Sequence, residues 1–410
     1  MVPEDFRIVQ IEECLTDSKA MAYGILQPGS EVDDGVPMIR TVDIGADGLS
    51  GTRIIKVSKE LHHEYRRTAL KGGEVILSVM GTVGRTMVVP KSCSGWNVNR
   101  ALAVMRLSDK VDAFYFSEYL KSPFINDRLV EQAIGSAQKR INLGDLRKYE
   151  LNLPPLLEQR KIANILGTWD KAISITERLI DNSKQQKKAL MQQLLTGKKR
   201  LLDDSGKPFE CEWEDITIGS TSKCFSGGTP SRSKEEYYGG DIPWITSGKL
   251  NDRFVTSVNE YISELGLKNS SAKVVKNGSL LIAMYGATAG KVAINKLNGA
   301  TVNQAVLALE PNKHCHNLFL FYLFEVEMVK ALKLVQGGQP NLSAAIIKGI
   351  KIKLPSVSEQ LRIAEVITNA DKEVELLEQQ LSDLKQEKKA LMQQLLTGKR
   401  RVKVDNTEAA

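Results

Sequence analysis

The feature that most restricts this chain is a phrase that occurs twice. Residues 187–198 read Lys-Lys-Ala-Leu-Met-Gln-Gln-Leu-Leu-Thr-Gly-Lys, and residues 388–399 repeat all twelve letters at an offset of 201. The offset holds upstream without a gap. Leu153-Pro154 matches Leu354-Pro355, Glu158-Gln159 matches Glu359-Gln360, Ile162-Ala163 matches Ile363-Ala364, and Asp170-Lys171 matches Asp371-Lys372. Residues 153–202 and 354–403 are therefore two copies of one segment, and a repeat of this kind sets the architecture before local propensity is considered.

Each copy opens at proline and closes at glycine, with no proline between and a single interior glycine, Gly167 of the first copy. Apolar residues recur at steps of three and four. In the first copy they are Ile162, Ile165, Trp169, Ile173, Leu190 and Leu194. In the second they are Ile363, Val366, Ala370, Val374, Leu377, Leu381, Leu384, Leu391 and Leu395. This is the period of a helix with one apolar stripe, close to a coiled-coil seam, with the expected proline start and glycine stop. About 40 helical residues extend roughly 60 Å. A lone amphipathic helix of that length needs a partner, and the other copy is at hand.

The segments ahead of the helices are related more loosely. Pro37-Met38-Ile39 corresponds to Pro243-Trp244-Ile245, Asn99-Arg100-Ala101 to Asn303-Gln304-Ala305, and Gln138-Lys139-Arg140-Ile141 to Gln339-Pro340-Asn341-Leu342. Gly81-Thr82-Val83-Gly84-Arg85 corresponds, with one insertion, to the segment Gly286–Lys291. Their surroundings are short alternating runs rich in Val, Ile, Thr and Gly, which predict many strands in a mixed α+β domain. The expected division is a domain over 1–152, a long helix in 153–202, a domain over 203–353, a long helix in 354–403, and a tail over 404–410. We expect the two helices to pair as an antiparallel coiled coil, giving pseudo-two-fold symmetry, the geometry of dimers that read two half-sites on DNA. Near-identical helices beside diverged domains suggest two different readings made on one shared frame.

This organisation resembles the specificity subunits of Type I restriction–modification enzymes over essentially the whole chain. Gly227-Gly228-Thr229-Pro230-Ser231, followed by the segment Tyr237–Ile245, looks like the opening of a target-recognition domain in that family. So do Gly286–Lys291 and the segment Gly337–Leu342, and the Leu-Pro-Pro-Leu-x-Glu-Gln stretch at 153–159 looks like the family's helix start. The first domain departs from the pattern, with Tyr23-Gly24-Ile25-Leu26-Gln27-Pro28-Gly29 in place of the Gly-Gly-Thr-Pro opening. The resemblance implies a non-catalytic, sequence-specific subunit whose two domains each read half of a bipartite site on double-stranded DNA. It implies two modification (methyltransferase) subunits as partners, which hold S-adenosylmethionine and methylate adenine, and restriction subunits in the full complex. It implies no cofactor on this chain, and helices that set the spacer and dock the modification subunits. A structural scaffold and a fragment of a fused restriction–modification enzyme are the competing classes.

The residues offer little for catalysis. The glycine loop at 286–291 has three residues between its glycines and Val292 after Lys291, where a phosphate-binding loop needs four and then Lys and Ser/Thr. A tight turn between strands is the better reading. His314-Cys315-His316 lacks a second Cys/His cluster to complete a tetrahedral metal site and reads as a loop. No N/D-P-P-Y/F tetrapeptide of adenine methylation occurs, and Asp383-Leu384-Lys385, spaced passably for a nuclease, falls in the helical repeat. The five cysteines have no C-x-x-C spacing and an odd count, which suits a reducing cytosol. Met1-Val-Pro-Glu-Asp does not read as a signal peptide, and no run approaches the ~18 apolar residues of a membrane span. A cytoplasmic protein is expected.

Charge sharpens the picture. The net charge is +7, yet residues 1–152 carry 20 basic and 20 acidic groups, whereas 153–202 carry 10 and 4. The excess gathers on the first helix and its end at Lys198-Lys199-Arg200, either compensating the helix dipole or contacting DNA. The near-neutral domains must read bases with a few Arg, Lys, Asn or Gln side chains on loops. Candidates are Arg100, Gln138, Lys139 and Arg140 in the first domain and Ser231, Arg232, Gln304, Gln339 and Asn341 in the second. Specificity residues are expected where the copies differ.

Overall fold

The computed structural model describes residues 6–45, 48–50, 53–135, 140–203, 205–334 and 341–403. Two compact units emerge, one built from residues 1–181 together with 376–410, the other from residues 182–375.

In the first unit the strand Arg7–Gln10 pairs antiparallel with Glu150–Leu153, tying the start of the domain to the residues just before the long helix. A four-stranded sheet runs in the order Met21–Tyr23, Leu102–Met105, Val75–Ser78, Thr86–Val88, and a three-stranded sheet in the order Ile55–Val57, Val36–Ile39, Asn97–Val98. The strand Val75–Ser78 is buried throughout. Alternate side chains of a strand face opposite ways, so Val75 and Leu77 join a core with Ala103, Met105, Tyr115, Phe116 and Leu129, while Ile76 enters another with Ile39, Met87, Val98 and Val104. The first core also takes in Ile162 and Leu166, and Met392, Leu395 and Leu396 from the far end of the chain. Each such side chain contributes about 1.5–3 kcal/mol by leaving water.

The second unit repeats the plan. Glu214–Thr217 pairs antiparallel with Lys351–Leu354. A five-stranded sheet runs Ser222–Ser226, Val306–Pro311, Leu280–Ala283, Val292–Asn295, Phe254–Val255, and a three-stranded one runs Glu260–Ile262, Tyr238–Ile245, Thr301–Val302. Leu280 and Ile282 face the helix Asn317–Leu334, whose residues Phe319–Phe324 are all buried, while Leu281 and Ala283 face Ile245, Val255, Ala293 and Val302. A stretch apolar on every side belongs to a core, and the first part of this helix is packed accordingly, while its later turns carry the exposed Val329 and Leu334. The expected mixed α+β domains are present in both halves.

The long helices are Leu156–Leu194 and Val357–Leu395, 39 residues each, or about 58 Å. Gly197 and Gly398 follow them at φ +70° and +74°, the left-handed geometry that ends a helix cheaply only with glycine. The helices pair antiparallel. In the first unit Glu158, Asp170 and Glu177 contact Arg401, Lys388 and Lys385; in the second Ser183, Lys187 and Arg200 contact Glu373, Asp371 and Glu359. One number rises as the other falls. Ile162, Ile173, Leu194, Ile363, Val374 and Leu395, read from the period as the stripe, are buried.

Candidate nucleic-acid interface

In each domain the loops that carry the candidate readers are fastened by the same backbone bonds. Gly24 N donates to Leu102 O and Ile25 N to Val98 O; correspondingly Gly227 N donates to Val306 O and Gly228 N to Val302 O. Asn99 N donates to Ile39 O and Leu102 N to Asn99 O, matched by Asn303 N to Ile245 O and Val306 N to Asn303 O. Val79 N donates to Ala101 O and Ile141 N to Val79 O, matched by Met284 N to Ala305 O and Leu342 N to Met284 O. The domains thus share a frame of six hydrogen bonds. Gly24 and Gly227 are equivalent: a Cβ on either would lie 2.1 Å from Val98 O or 1.9 Å from Val302 O. The first domain keeps the critical glycine of the opening although its letters differ.

The frame brings four candidates into two equivalent places. Arg100 and Gln304 occupy one position, Arg100 between Asn99 and Ala101, Gln304 between Asn303 and Ala305. Arg140 and Asn341 occupy the other, bridged to Met80 and Tyr285 respectively. All four candidates are exposed. The Thr229 hydroxyl donates to Gln304 Oε1, orienting its amide. Among the described residues Arg100 has no ion-pair partner. Ser231 exchanges a hydrogen bond with Ser233 at 2.9 Å. Arg232 is engaged within its own domain: its guanidinium pairs with Glu260 at 2.7 Å and lies 4.5 Å from the Tyr238 ring centre and 5.1 Å from that of Trp244. Gln138, Lys139 and Gln339 lie outside the described residues. The position held by Met80 and Tyr285 was not singled out from sequence, because it has no polar letter in the first copy to signal it.

The glycine loops are turns between antiparallel strands. Gly81 and Gly84 (φ +73° and +92°) link Val75–Ser78 to Thr86–Val88, and Gly286 and Gly290 (φ +85° and +77°) link Leu280–Ala283 to Val292–Asn295. A strand rather than a helix follows Lys291, so the phosphate-loop alternative has no helix N-terminus to use. Among the described residues no group of three His, Cys, Asp or Glu side chains is placed to hold a metal.

The repeated Glu-Gln pair fixes each frame to its helix. Gln159 Nε2 donates to Lys110 O and Pro154 O, and its Oε1 accepts from Asp112 N at 2.8 Å. Gln360 does the same with His314 O, Pro355 O and, at 2.7 Å, His316 N. Glu359, fully buried, accepts from Arg200 Nε at 2.6 Å, Arg200 Nη2 at 2.7 Å and Trp213 Nε1 at 3.2 Å. Glu158 accepts from Arg401 Nε at 2.8 Å and Nη2 at 2.7 Å. Arg200, counted from sequence within the basic helix end, is therefore held in an internal pair.

Two further charged clusters are equivalent. Lys388 donates to Asp170 at 2.6 Å and Glu118 at 2.7 Å, and Lys121 to Glu118 at 2.8 Å. Burial and the nearby Glu118 raise the Asp170 pKa, whereas Lys121 and Lys388 outweigh burial and hold Glu118 below the ordinary value. In the second unit Lys187 pairs with Asp371, the Tyr322 hydroxyl donates to Asp371 at 2.7 Å, and Arg253 spans Asp371 and Glu325 at 3.2 and 3.1 Å. Burial would push Asp371 up, but Lys187, Tyr322 and Arg253 pull it below its usual value; Glu325 is raised by burial despite Arg253. Sequence reading did not name these pairs; Lys187 and Lys388, like Asp170 and Asp371, are letter-identical in the repeat, the signal that could have marked them.

Comparison with known proteins agrees with this geometry. The family model described as the Type I restriction modification DNA specificity domain matches residues 12–184 and again 210–386. The MjaVIII specificity subunit of Methanocaldococcus jannaschii is 26% identical over 98% of this chain and 94% of its own. The EcoBI specificity subunit of Escherichia coli is 27% identical over 54% of this chain, a match spanning about half (46%) of that relative. The crystal structure of the Type I restriction–modification S subunit from M. genitalium shares the fold, with a TM-score of 0.58, 16% identity, and 96% of each chain covered. With the duplicated frame and the duplicated helix both accounted for, the chain belongs to the specificity-subunit family of Type I restriction–modification systems.

Proposed function

We propose that each domain of this chain reads one half of a two-part DNA site, and that the paired helices fix the spacer and dock two modification subunits. The observation that carries this reading is the contrast between frame and contents. Six backbone bonds recur in both domains while the exposed side chains they present differ. A common frame with different contents serves two different half-sites. Arg100, Arg140, Gln304 and Asn341 lead the DNA contacts, with Ser231 beside them; Gln138, Lys139 and Gln339 are assigned by their place in the sequence. Arg232, held by Glu260, contacts DNA only if that pair opens. The proposed division is recognition domains over 1–152 and 203–353 and helices in 153–202 and 354–403.

Docking of two copies of one partner is supported by helix positions that are exposed yet identical in both copies: Gln185 and Gln386, Lys188 and Lys389, Ala189 and Ala390, Gln192 and Gln393, Gln193 and Gln394. Internal packing does not demand these letters, and a shared external surface does. S-adenosylmethionine belongs to the modification subunits, and restriction subunits complete the complex in the cytoplasm. The family is non-catalytic, and no described helix is long and apolar enough to cross a membrane. Methylome sequencing of cells with and without the chain tests the reading. A bipartite methylated motif should appear with it. Four residues inserted into each long helix, about 6 Å, should lengthen the spacer by at most about two base pairs at ~3.4 Å each. A contiguous motif, or a spacer indifferent to the insertion, would refute the proposal.

A further inference from the structure

We infer that Arg100 and Gln304 are equivalent specificity-determining residues, Arg100 reading guanine in one half-site and Gln304 reading adenine in the other. This rests on the bipartite reading above. The two side chains leave the same position of the same frame. Each is flanked by identical residues, asparagine before (Asn99 and Asn303) and alanine after (Ala101 and Ala305). The backbone of these neighbours is fastened by matched bonds. Asn99 N donates to Ile39 O as Asn303 N does to Ile245 O, and Ala101 O accepts from Val79 N as Ala305 O does from Met284 N. Only the exposed middle residue has changed.

That pattern separates base from phosphate. Phosphates are the same at both half-sites, so a residue that touches one has no cause to change from a cation to a neutral amide when its surroundings are kept. A residue that touches a base edge does. Arginine offers two parallel donors that match guanine O6 and N7, while the glutamine amide, one acceptor and one donor, matches adenine N6 and N7. Both side chains are exposed. Arg100 has no ion-pair partner among the described residues. Gln304 accepts at Oε1 from the Thr229 hydroxyl, which orients the amide, leaving its NH2 and the second lone pair of Oε1 for a base. In the first domain the place of Thr229 is taken by Leu26, 52% exposed, which cannot hydrogen-bond an amide and has no amide to orient. The neighbouring position changes in the same sense, Arg140 in the first domain and Asn341 in the second, so two adjacent readers shift together from guanine chemistry to adenine chemistry.

The test uses the full chain assembled with its modification subunits. Methylomes are compared for the unaltered chain, Arg100→Gln, Arg100→Lys and Gln304→Arg, and binding to the resulting motif is measured against salt. Arg100→Gln should relax or convert one guanine in one half-site, with discrimination there falling roughly five- to 150-fold and the other half-site and spacer unchanged. Gln304→Arg should alter one adenine in the opposite half-site. Arg100→Lys keeps the charge without the rigid two-pronged donor and should weaken guanine preference while leaving the salt dependence intact. The inference is overturned if Arg100→Gln leaves the motif unchanged, weakens all sequences alike and lowers the salt slope by about one ion, the behaviour of a phosphate contact. If Arg100→Gln abolishes methylation, the lysine variant decides: an unaltered guanine preference overturns the inference. A wild-type motif that is not bipartite counts against the parent reading instead.

Discussion

Replacing Arg200 by alanine should loosen the second unit more than replacing Arg401 loosens the first, although the two residues hold the same place in the repeat. Arg200 gives two short charge-assisted bonds to Glu359, a carboxylate with no exposure, and Trp213 covers the same group. Removing the guanidinium leaves a buried charge with one neutral donor. Breaking such a pair from one side costs about 3–5 kcal/mol; with the Trp213 bond retained, about 3 kcal/mol is expected. Glu158 is 3% exposed, but Arg401 is 42% exposed against 29% for Arg200, so water reaches Glu158 more readily once its arginine is gone, and about 1–2 kcal/mol is expected. Native-state hydrogen exchange reads the difference directly, because it measures local opening free energies. Amides early in the helix Val357–Leu395 should open about a hundred-fold more often in Arg200→Ala, and those early in Leu156–Leu194 roughly ten-fold more often in Arg401→Ala. Equal effects, or a larger one for Arg401, would refute the argument from burial.

Two further outcomes follow from the geometry. Gly227→Ala drives a methyl into Val302 O and should cost about 3 kcal/mol or more. Gly286→Ala, with open space around it but φ +85°, should cost about 1–2 kcal/mol; thermal unfolding of the two variants checks the order. Asp371, held below its ordinary value of 3.8, contributes stability in full above that pH and loses it as pH falls through the lower folded value. Asp371→Asn should therefore flatten the acid limb of a stability–pH profile, and an unchanged limb would count against the Lys187–Tyr322–Arg253 cluster. Glu325, raised by burial, works in the opposite sense, costing stability as pH rises through its titration.

Much of the fold was legible because the repeat carries its own register. Pro155 and Gly197, and Pro355 and Gly398, bracket helices whose length the period foretold. The letter-identical residues engage crosswise within each unit: Asp170 with Lys388 and Glu158 with Arg401 in the first, Asp371 with Lys187 and Glu359 with Arg200 in the second. The glycine turns were readable from missing phosphate-loop letters. Other parts were hidden for physical reasons. Met80 and Tyr285 share a position that backbone bonding defines and side-chain type does not. Gly24 was masked because its neighbours, Ile25 and Leu26, replace Gly228 and Thr229; the constraint lies in the approach of Val98 O, which sequence does not display. Arg232 read as a free loop cation, yet Glu260, Tyr238 and Trp244 converge on it from a neighbouring pair of strands.

The way the long helices are divided between the units bears on how the chain matures. The second unit is drawn entirely from residues 182–375, so all of its parts are in hand before synthesis ends. The first unit includes residues 376–410, and Met392, Leu395 and Leu396 lie in its core. The last pieces of that core therefore arrive some two hundred residues after residue 181, on the order of ten to forty seconds later at ribosomal rates of roughly 5–20 residues per second. Until then the core that holds Ile162 and Leu166 lacks Met392, Leu395 and Leu396. The nascent chain should close its later half first and its earlier half last, and any chaperone acting on it has the N-terminal domain to guard.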